Sequence, residues 1–397
     1  MANNTPSANR LHVGFFGRTN SGKSSLINAL AGQTVAIVSN VPGTTTDPVH
    51  KAMELHGVGA ATLIDTAGFD DASELGALRI EQTEKALQRC DVAVLLFDDI
   101  DISKELEWYK KLRDAAKPVV CAITRSDARD PEPVAAAARN ACGEECIILS
   151  ASDKGGVERL RSAIVRAVPE DWGQRSITAG LAEDGDLVLL VAPQDIQAPT
   201  GRLILPQVQT IRDLLDKKCL VVVITTDKLD AALAALSRPP KLIIADSQVF
   251  RTVWEKKPVQ SLLTSFSVLF AAYKGDIDYY VAGAKAIDAL TEHSRVLIAE
   301  CCTHAPLTED IGRVKIPRLL RNRAGEGLTV DVVSGTDYPE DLTKYDLIIQ
   351  CGACMFNRGY VTSRIDRAKT QRVPMTNYGV ALAYLNGILD KISLGIE

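Results

Sequence analysis

Gly17-Arg-Thr-Asn-Ser-Gly-Lys-Ser-Ser25 reads G-x-x-x-x-G-K-S. Its flanks matter as much as its letters. Leu11–Phe16 before it is an apolar run of strand length, and Ser25–Ala31 after it carries apolar residues at helical spacing. A strand, a glycine-rich turn and a helix N-terminus together form a cradle in which backbone N–H groups and the helix dipole converge on an anion. In that cradle Gly17, Arg18, Thr19, Asn20, Ser21, Gly22 and Ser25 surround the phosphates. Lys23 reaches the terminal phosphates and Ser24 offers its hydroxyl to Mg²⁺. The stretch predicts binding of a nucleoside triphosphate.

Apolar runs recur at Val13–Phe16, Ala61–Ile64, Val92–Phe97, Val119–Ile123 and Cys146–Leu149, with helical patterns at Leu78–Gln88 and Ser103–Ala115 between them. Near-continuous apolar strands alternating with helices predict a mostly parallel, doubly wound α/β sheet covered on both faces. Ligands of such sheets bind at the C-terminal strand ends, where the polar signatures fall. Pro42–Asp47 (P-G-T-T-T-D) suits a loop closing over Mg²⁺ and the γ-phosphate, with Thr45 as the metal ligand. Asp65-Thr-Ala-Gly68 follows a strand; its carboxylate can hold Mg²⁺ through water and the Gly68 N–H can sense the γ-phosphate. Lys23, Ser24, Thr45, Asp65 and Gly68 are therefore the candidate catalytic set.

Gly17–Asn28, the G-T-T-T-D loop, D-T-A-G, Thr124-Arg-Ser-Asp127 and Ser150-Ala-Ser152 together resemble the G-protein class that includes Era, Der and TrmE. The resemblance implies that Asn20 coordinates an activating K⁺, and that Arg125, Asp127, Ser150, Ala151 and Ser152 surround a guanine base. Phe69 stands where Ras-like proteins place a water-orienting Gln, and an apolar side chain cannot position water. Slow intrinsic GTP hydrolysis, stimulated by K⁺, is expected. The class reads guanine with N-K-x-D. Asp127 can still accept from the base and Arg125 can stack on it, but Thr124 is expected not to replace an Asn amide that braces the P-loop, which lowers affinity.

The chain has 397 residues, a net charge of −5 and a pI near 5.7, which argue against a protein whose main task is coating nucleic acid. No apolar run approaches a membrane span, and Met1–Asn9 is polar without a signal pattern. A cytoplasmic chain with disordered residues 1–9 is expected. Nine cysteines, an odd count, do not suggest a disulfide framework. Cys90, Cys121, Cys146 and Cys219 lie in or beside apolar runs and read as small core residues.

Residues 10–170 then form the P-loop domain and 171–186, rich in Pro, Gly and polar residues, a linker. Leu187–Ala192, Val208–Leu215, Leu220–Thr225, a helical Lys228–Leu236 and Leu242–Ala245 make a small α/β unit over 187–262. Such a unit completes its core by self-association or by docking on a neighbour. Residues 263–397 hold a different pattern. Strand Val296–Glu300 runs into Cys301-Cys-Thr-His304, strand Leu347–Gln350 runs into Cys351-Gly-Ala-Cys354, and Thr329–Val333 is a strand between them. If the strands are parallel neighbours, C-x-H and C-x-x-C meet at one sheet edge. Cys302, Cys351 and Cys354 with His304 or an open position suit structural Zn²⁺ or an iron–sulfur cluster. Cys301, pointing opposite to Cys302, reads as core.

With a P-loop domain in front, I-A-E-C-C-T-H at 298–304 and D-I-G-R-V-K-I-P-R at 310–318 resemble the FeFe-hydrogenase maturation GTPases (HydF). The resemblance implies a dimerisation domain over 187–262 and a Rossmann-like α/β cluster domain over 263–397. It implies that Cys302, Cys351 and Cys354 hold a 4Fe–4S cluster. It further implies a homodimer that takes a diiron precursor from two radical-SAM maturases and delivers it to the hydrogenase apoprotein. Gln350 replaces a His common in that family, so the fourth position falls to water, His304 or an exogenous group. The basic run Arg313, Lys315, Arg318, Arg321 and Arg323 reads either as a solvated loop or as an electropositive rim. The rival reading is an RNA- or ribosome-associated GTPase with a structural Cys₃His zinc site.

Overall fold

The computed structural model describes residues 5–32, 49–70, 76–170, 172–173, 175–192, 203–301, 310–354 and 356–395, and the chain divides into two compact units, 1–174 and 175–397. In the first, strands β1 (Leu11–Phe16), β2 (Val49–Leu55), β3 (Gly59–Asp65), β4 (Val92–Phe97), β5 (Val119–Ile123) and β6 (Ile147–Ile148) form one sheet in the order β2-β3-β1-β4-β5-β6. All pairings are parallel except β2 with β3. The continuous apolar runs are explained by two cores. Val92, Val94 and Leu96 of β4 pack with Leu26, Leu30 and Leu160 on one face, while Ala93, Leu95 and Phe97 pack with Trp108, Leu112 and Ala138 on the other.

Strand β2 escapes an apolar-run criterion because it is an edge: Met53 and Leu55 are buried and Glu54 is exposed, so its sequence alternates. Residues 5–9, expected to be disordered, instead include a 3₁₀ turn, Ser7–Asn9, with Ala8 buried and the Arg10 Nε donating to the Thr5 carbonyl at 2.8 Å. Cys146, expected in the core, is only partly buried.

The second unit holds two four-stranded sheets, each parallel throughout: β10-β9-β7-β8 and β12-β11-β13-β14. Their strands are β7 (Leu187–Val191), β8 (Leu220–Ile224), β9 (Leu242–Ala245), β10 (Leu262–Ser265), β11 (Arg295–Ala299), β12 (Thr329–Val333), β13 (Leu347–Gln350) and β14 (Met375–Asn377). A continuous apolar cluster joins them, Leu189 and Ile243 from one sheet with Leu297 and Ile348 from the other. The expected boundary at 262/263 cuts β10, and helix Phe266–Lys274 still packs on the middle sheet through Phe266 and Leu269. Half of the expected linker is also structural. Asp213 accepts the Ile177 and Thr178 N–H groups at 2.9 and 3.0 Å, and Ile177 and Ala182 are buried in the middle core. No helix among the described residues is long and apolar enough to cross a membrane.

Helix Ile277–Ala284 lies so close to β14 that a Cβ on Gly283 would sit 2.1 Å from the Met375 carbonyl oxygen. Backbone cannot yield as a side chain can. Gly283→Ala should therefore destabilise the second unit by about 1–3 kcal/mol, read as a lower calorimetric midpoint with nucleotide affinity of the first unit unchanged.

Candidate functional site

A cavity of about 650 Å³ opens at the C-terminal edge of the first sheet, between residues 20–26, the 124–127 turn and Ser150–Ser152. Helix Lys23–Ala31 aims its N-terminus into it. Lys23 is buried, and its Nζ donates to the carbonyls of Gly17 at 2.9 Å and Arg18 at 2.7 Å. Burial pushes the lysine below its ordinary range, and Asp65, Asp70 and Asp98 oppose that shift. Two neutral carbonyls are weak partners for a buried ammonium, so an arriving phosphate has a cation to engage.

Ser24 Oγ donates to Asp65 Oδ2 at 2.6 Å, and Asp65 Oδ1 is buried with no hydrogen-bond partner among the described residues. A hydroxyl beside a carboxylate with an unsatisfied oxygen fits a hard divalent cation such as Mg²⁺. Thr45, the other expected ligand, lies outside the described residues. Gly68 leaves no room for a side chain: a Cβ there would come within 2.2 Å of Thr19 Oγ1. The Asp65–Gly68 segment thus rests directly on the P-loop, and Asp70 Oδ1 accepts the Thr19 N–H at 2.5 Å.

The side chain of Arg18 turns away from the cavity to a bidentate pair with buried Glu105, at 2.8 and 3.1 Å. Gly17, Arg18 and Thr19 do not line the cavity; Asn20, Ser21, Gly22 and Ser25 do. Phe69 is buried against Trp108, ring centroids 5.4 Å apart, and Trp108 stacks in turn on Phe16 at 5.9 Å. It serves the core.

The base-side turn corrects one expectation. Thr124 is buried and its Oγ1 donates to the Ser21 carbonyl at 2.7 Å, so the threonine does brace the P-loop. The Arg125 guanidinium donates to the Asn20 carbonyl and lies 3.7 Å from Asp98. Asp127 is exposed toward the cavity, held by Ser152 Oγ at 3.4 Å, which is itself paired with Ser150 Oγ at 2.8 Å.

In the second unit β11 and β13 are parallel neighbours with Ala299 opposite Gln350, so the two Cys-bearing turns leave the same edge. Cys351 Sγ accepts the N–H of Cys301 at 3.1 Å and that of Ala353 at 3.4 Å. The Cys301 thiol hydrogen-bonds the same sulfur, and this, against burial, holds the Cys351 thiol below its ordinary range. Cys301 is buried as expected, yet it is not an inert core thiol. Arg364, fully buried between the rings of Tyr338 and Tyr360 at 4.6 and 4.7 Å, donates to Cys301 Sγ at 3.4 Å and to the Gly335 carbonyl at 2.7 Å. Buried Lys274 donates to the carbonyls of Ala353, Cys354 and Phe356 at 2.9, 3.3 and 3.0 Å.

Two cations and three N–H···S or S–H···S contacts make this turn suited to thiolate ligation. Cys302 and His304 lie outside the described residues. Among the described residues no group of three or more His, Cys, Asp or Glu side chains is gathered as a metal site. Gln350 is buried, and its Oε1 has no partner among them. Three members of the basic run are engaged internally: Arg313 with Glu300 at 2.9 Å, Arg321 with the Leu328 carbonyl at 3.4 Å, and Arg323 with Asp288. Sequence reading missed Lys274 and Arg364. Neither carries a motif, and only the fold brings them beneath the Cys turn.

Comparison with known proteins follows the three sheets. Residues 12–125 match the family model described as 50S ribosome-binding GTPase, 177–275 the Hydrogen maturase F dimerization domain, and 278–394 the Hydrogen maturase F tetramerization domain. The tRNA modification GTPase MnmE of Heliobacterium modesticaldum is 33% identical over 177 residues, covering 44% of this chain and 37% of that one. GTPase Der of Chloroflexus aurantiacus is 36% identical over 124 residues, 30% of this chain and 27% of its own. The chain thus spans well under half the length of these relatives. Era of Aquifex aeolicus, solved with GDP and AlF₄⁻, is similar at 19% identity with a TM-score of 0.34, covering 57% of this chain and 98% of that one. The chain carries a P-loop GTPase domain like those of MnmE and Der, fused to two domains like those of hydrogen maturase F.

Thr124→Val keeps the side-chain shape and removes the brace to Ser21. Isothermal titration should show GDP binding weakened by about threefold to tenfold, the worth of one hydrogen bond. Unchanged affinity would show that the hydroxyl is not needed.

Proposed function

We propose that the chain is a GTP-hydrolysing scaffold that binds a 4Fe–4S cluster and carries a diiron precursor during assembly of an FeFe-hydrogenase active site. The observation that carries this reading is the parallel pairing of β11 with β13, which brings the Cys351–Cys354 turn beside the turn that begins at Cys301. Cys351 and Cys354, with Cys302, would hold the cluster, which when bound supplies iron with a position open to an exogenous ligand. The remaining work is done by the chain itself. Lys274 fixes the turn through three carbonyls, and Arg364 and Cys301 stand behind the Cys351 sulfur. The two matched maturase domains support the same reading; on it, two radical-SAM maturases and the hydrogenase apoprotein would be the partners.

In the GTPase domain, Lys23 would exchange the Gly17 and Arg18 carbonyls for the terminal phosphates. Ser24, Asp65 and Thr45 would hold Mg²⁺, which neutralises charge developing between the phosphates. Asp127, set by Ser152, would accept from guanine, and Asn20 at the cavity mouth would hold K⁺. With Phe69 locked in the core, the chain has no water-orienting residue at that position, so turnover is slow and rises with K⁺. GTP would act as a timing signal through the Asp65–Gly68 segment that rests on the P-loop.

The self-association implied by a dimerisation domain has a candidate surface. Strand β8 ends the middle sheet with Leu220 and Val223 exposed, and helix Leu205–Asp216 exposes Val208 and Leu215 beside it. An apolar edge that is unpaired among the described residues can be completed by a second strand.

Lys23→Ala should lower GTP turnover about 100-fold or more while the anaerobically reconstituted chain keeps its iron and sulfide content. Loss of both together would contradict a GTPase and a metal site that operate in separate domains.

A further inference from the structure

The GTPase domain gathers three thiols outside its nucleotide site. Cys121 lies one position before the register of the pair β5·β6, in which Ala122 faces Ile147 and Ile123 faces Ile148. The preceding positions are Cys121, in β5, and Cys146, just ahead of β6, both packed with Ile123 and Ile148 on the same face of the sheet. Directly opposed residues of neighbouring strands have the Cα separation that a disulfide requires. Cys121 is buried, Cys146 is partly exposed, and both line a surface cavity of about 490 Å³ together with Glu144, Arg159 and Arg166. Cys142, the last residue of helix Glu132–Cys142, lies in the same cluster.

The two thiols differ in character. The hydrogen bond from Cys121 holds Cys146 below the ordinary thiol range, opposed by burial, while Cys121 is raised by that bond and by burial. Cys142 is raised by burial to about 11. An accessible, more acidic thiol beside a buried partner is the arrangement of an attacking and a resolving cysteine.

Their position gives the pair a consequence. Strand β5 runs from Cys121 straight into Thr124–Asp127, and the chain from Cys146 runs through β6 into Ser150–Ser152. These are the two turns that wall the base side of the nucleotide cavity. At their base the Leu149 N–H donates to the Ile123 carbonyl at 3.0 Å; beyond it the described contacts are longer, Ser126 N–H to the Leu149 carbonyl at 3.5 Å and Ser152 Oγ to Asp127 at 3.4 Å.

We propose that Cys121 and Cys146 form a reversible disulfide that weakens guanine-nucleotide binding by shifting these two turns against each other. With a small disulfide such as oxidised glutathione, the Cys146 thiolate attacks one sulfur and one glutathione thiolate leaves. Cys121, losing its proton to water, then attacks the Cys146 sulfur and expels the second glutathione thiolate, which with the first takes up the protons released. Two protein thiols are oxidised and one glutathione disulfide is reduced to two glutathiones. Drawing the two sulfurs from hydrogen-bond contact into a covalent bond shifts β6 relative to β5, and the weak contacts between the turns are the first to give.

The test uses the full chain, oxidised with glutathione disulfide, alkylated and mapped by peptide mass, with affinity for a fluorescent GDP analogue measured before and after. The expected result is a linked pair of peptides carrying Cys121 and Cys146 and at least a threefold rise in Kd, reversed by dithiothreitol. Cys146→Ser should bind GDP normally and lose the response, while Cys142→Ser should keep it. The proposal is overturned if Cys146 stops as a mixed glutathione disulfide, if Cys142 replaces Cys121 in the link, or if the link forms without a change in affinity. It is overturned equally if Cys146→Ser shows the same loss on oxidation, since the effect would then arise at other thiols.

Discussion

Parallel strands cannot be joined by tight turns, so each must hand the chain to a crossover, and two crossovers that leave neighbouring strands for opposite faces open a crevice between them. This chain builds that crevice three times. Leaving aside the antiparallel β2, the first sheet runs β3-β1-β4-β5-β6, the second β8-β7-β9-β10 and the third β12-β11-β13-β14, so each begins with its second strand, then its first, then its third. In the first sheet the switch falls between β1 and β4, and the P-loop leaves β1 there. In the third it falls between β11 and β13, and the turns beginning at Cys301 and Cys351 leave there. The phosphate cradle and the thiol turn occupy equivalent places in their sheets for one topological reason.

What the residues do at those places follows from what a crevice costs. Polar groups at a strand end are partly desolvated and must find partners. Lys23 takes the carbonyls of its own loop, Thr124 takes Ser21, and Glu105 takes Arg18. At the second crevice the buried cations Arg364 and Lys274 face sulfur and carbonyl oxygen, with the rings of Tyr338 and Tyr360 covering the guanidinium. A fully buried guanidinium with such neighbours favours negative charge at the cysteine turn. An anionic metal–thiolate group meets that requirement better than neutral thiols do.

The parts legible in the sequence were those written as continuous patterns. The P-loop, D-T-A-G and the apolar strands are local signals, and the parallel approach of the two Cys turns followed from strand-then-cysteine repeated twice. Parts that depend on distant partners were not legible. Strand β2 alternates because it is an edge, and β14 is only three residues long. Thr124 looked deficient beside an asparagine because its use depends on how near Ser21 comes. Arg364 and Lys274 sit in ordinary helices and acquire meaning only beneath Cys351. Cys146 looked like core because Cys146–Leu149 is apolar, yet the strand is only Ile147–Ile148 and the thiol lies beside it at a cavity.

The account joins a nucleotide switch at one strand crevice to a thiolate metal site at another, and the metal is its most exposed element. Isolation of the full chain and of Cys351→Ala without oxygen, with iron, acid-labile sulfide and zinc measured on both, addresses it directly. The account predicts a brown protein with about four irons and four sulfides per chain, lost in Cys351→Ala. A colourless protein holding one zinc per chain would contradict it and turn the C-terminal domain into a structural metal module.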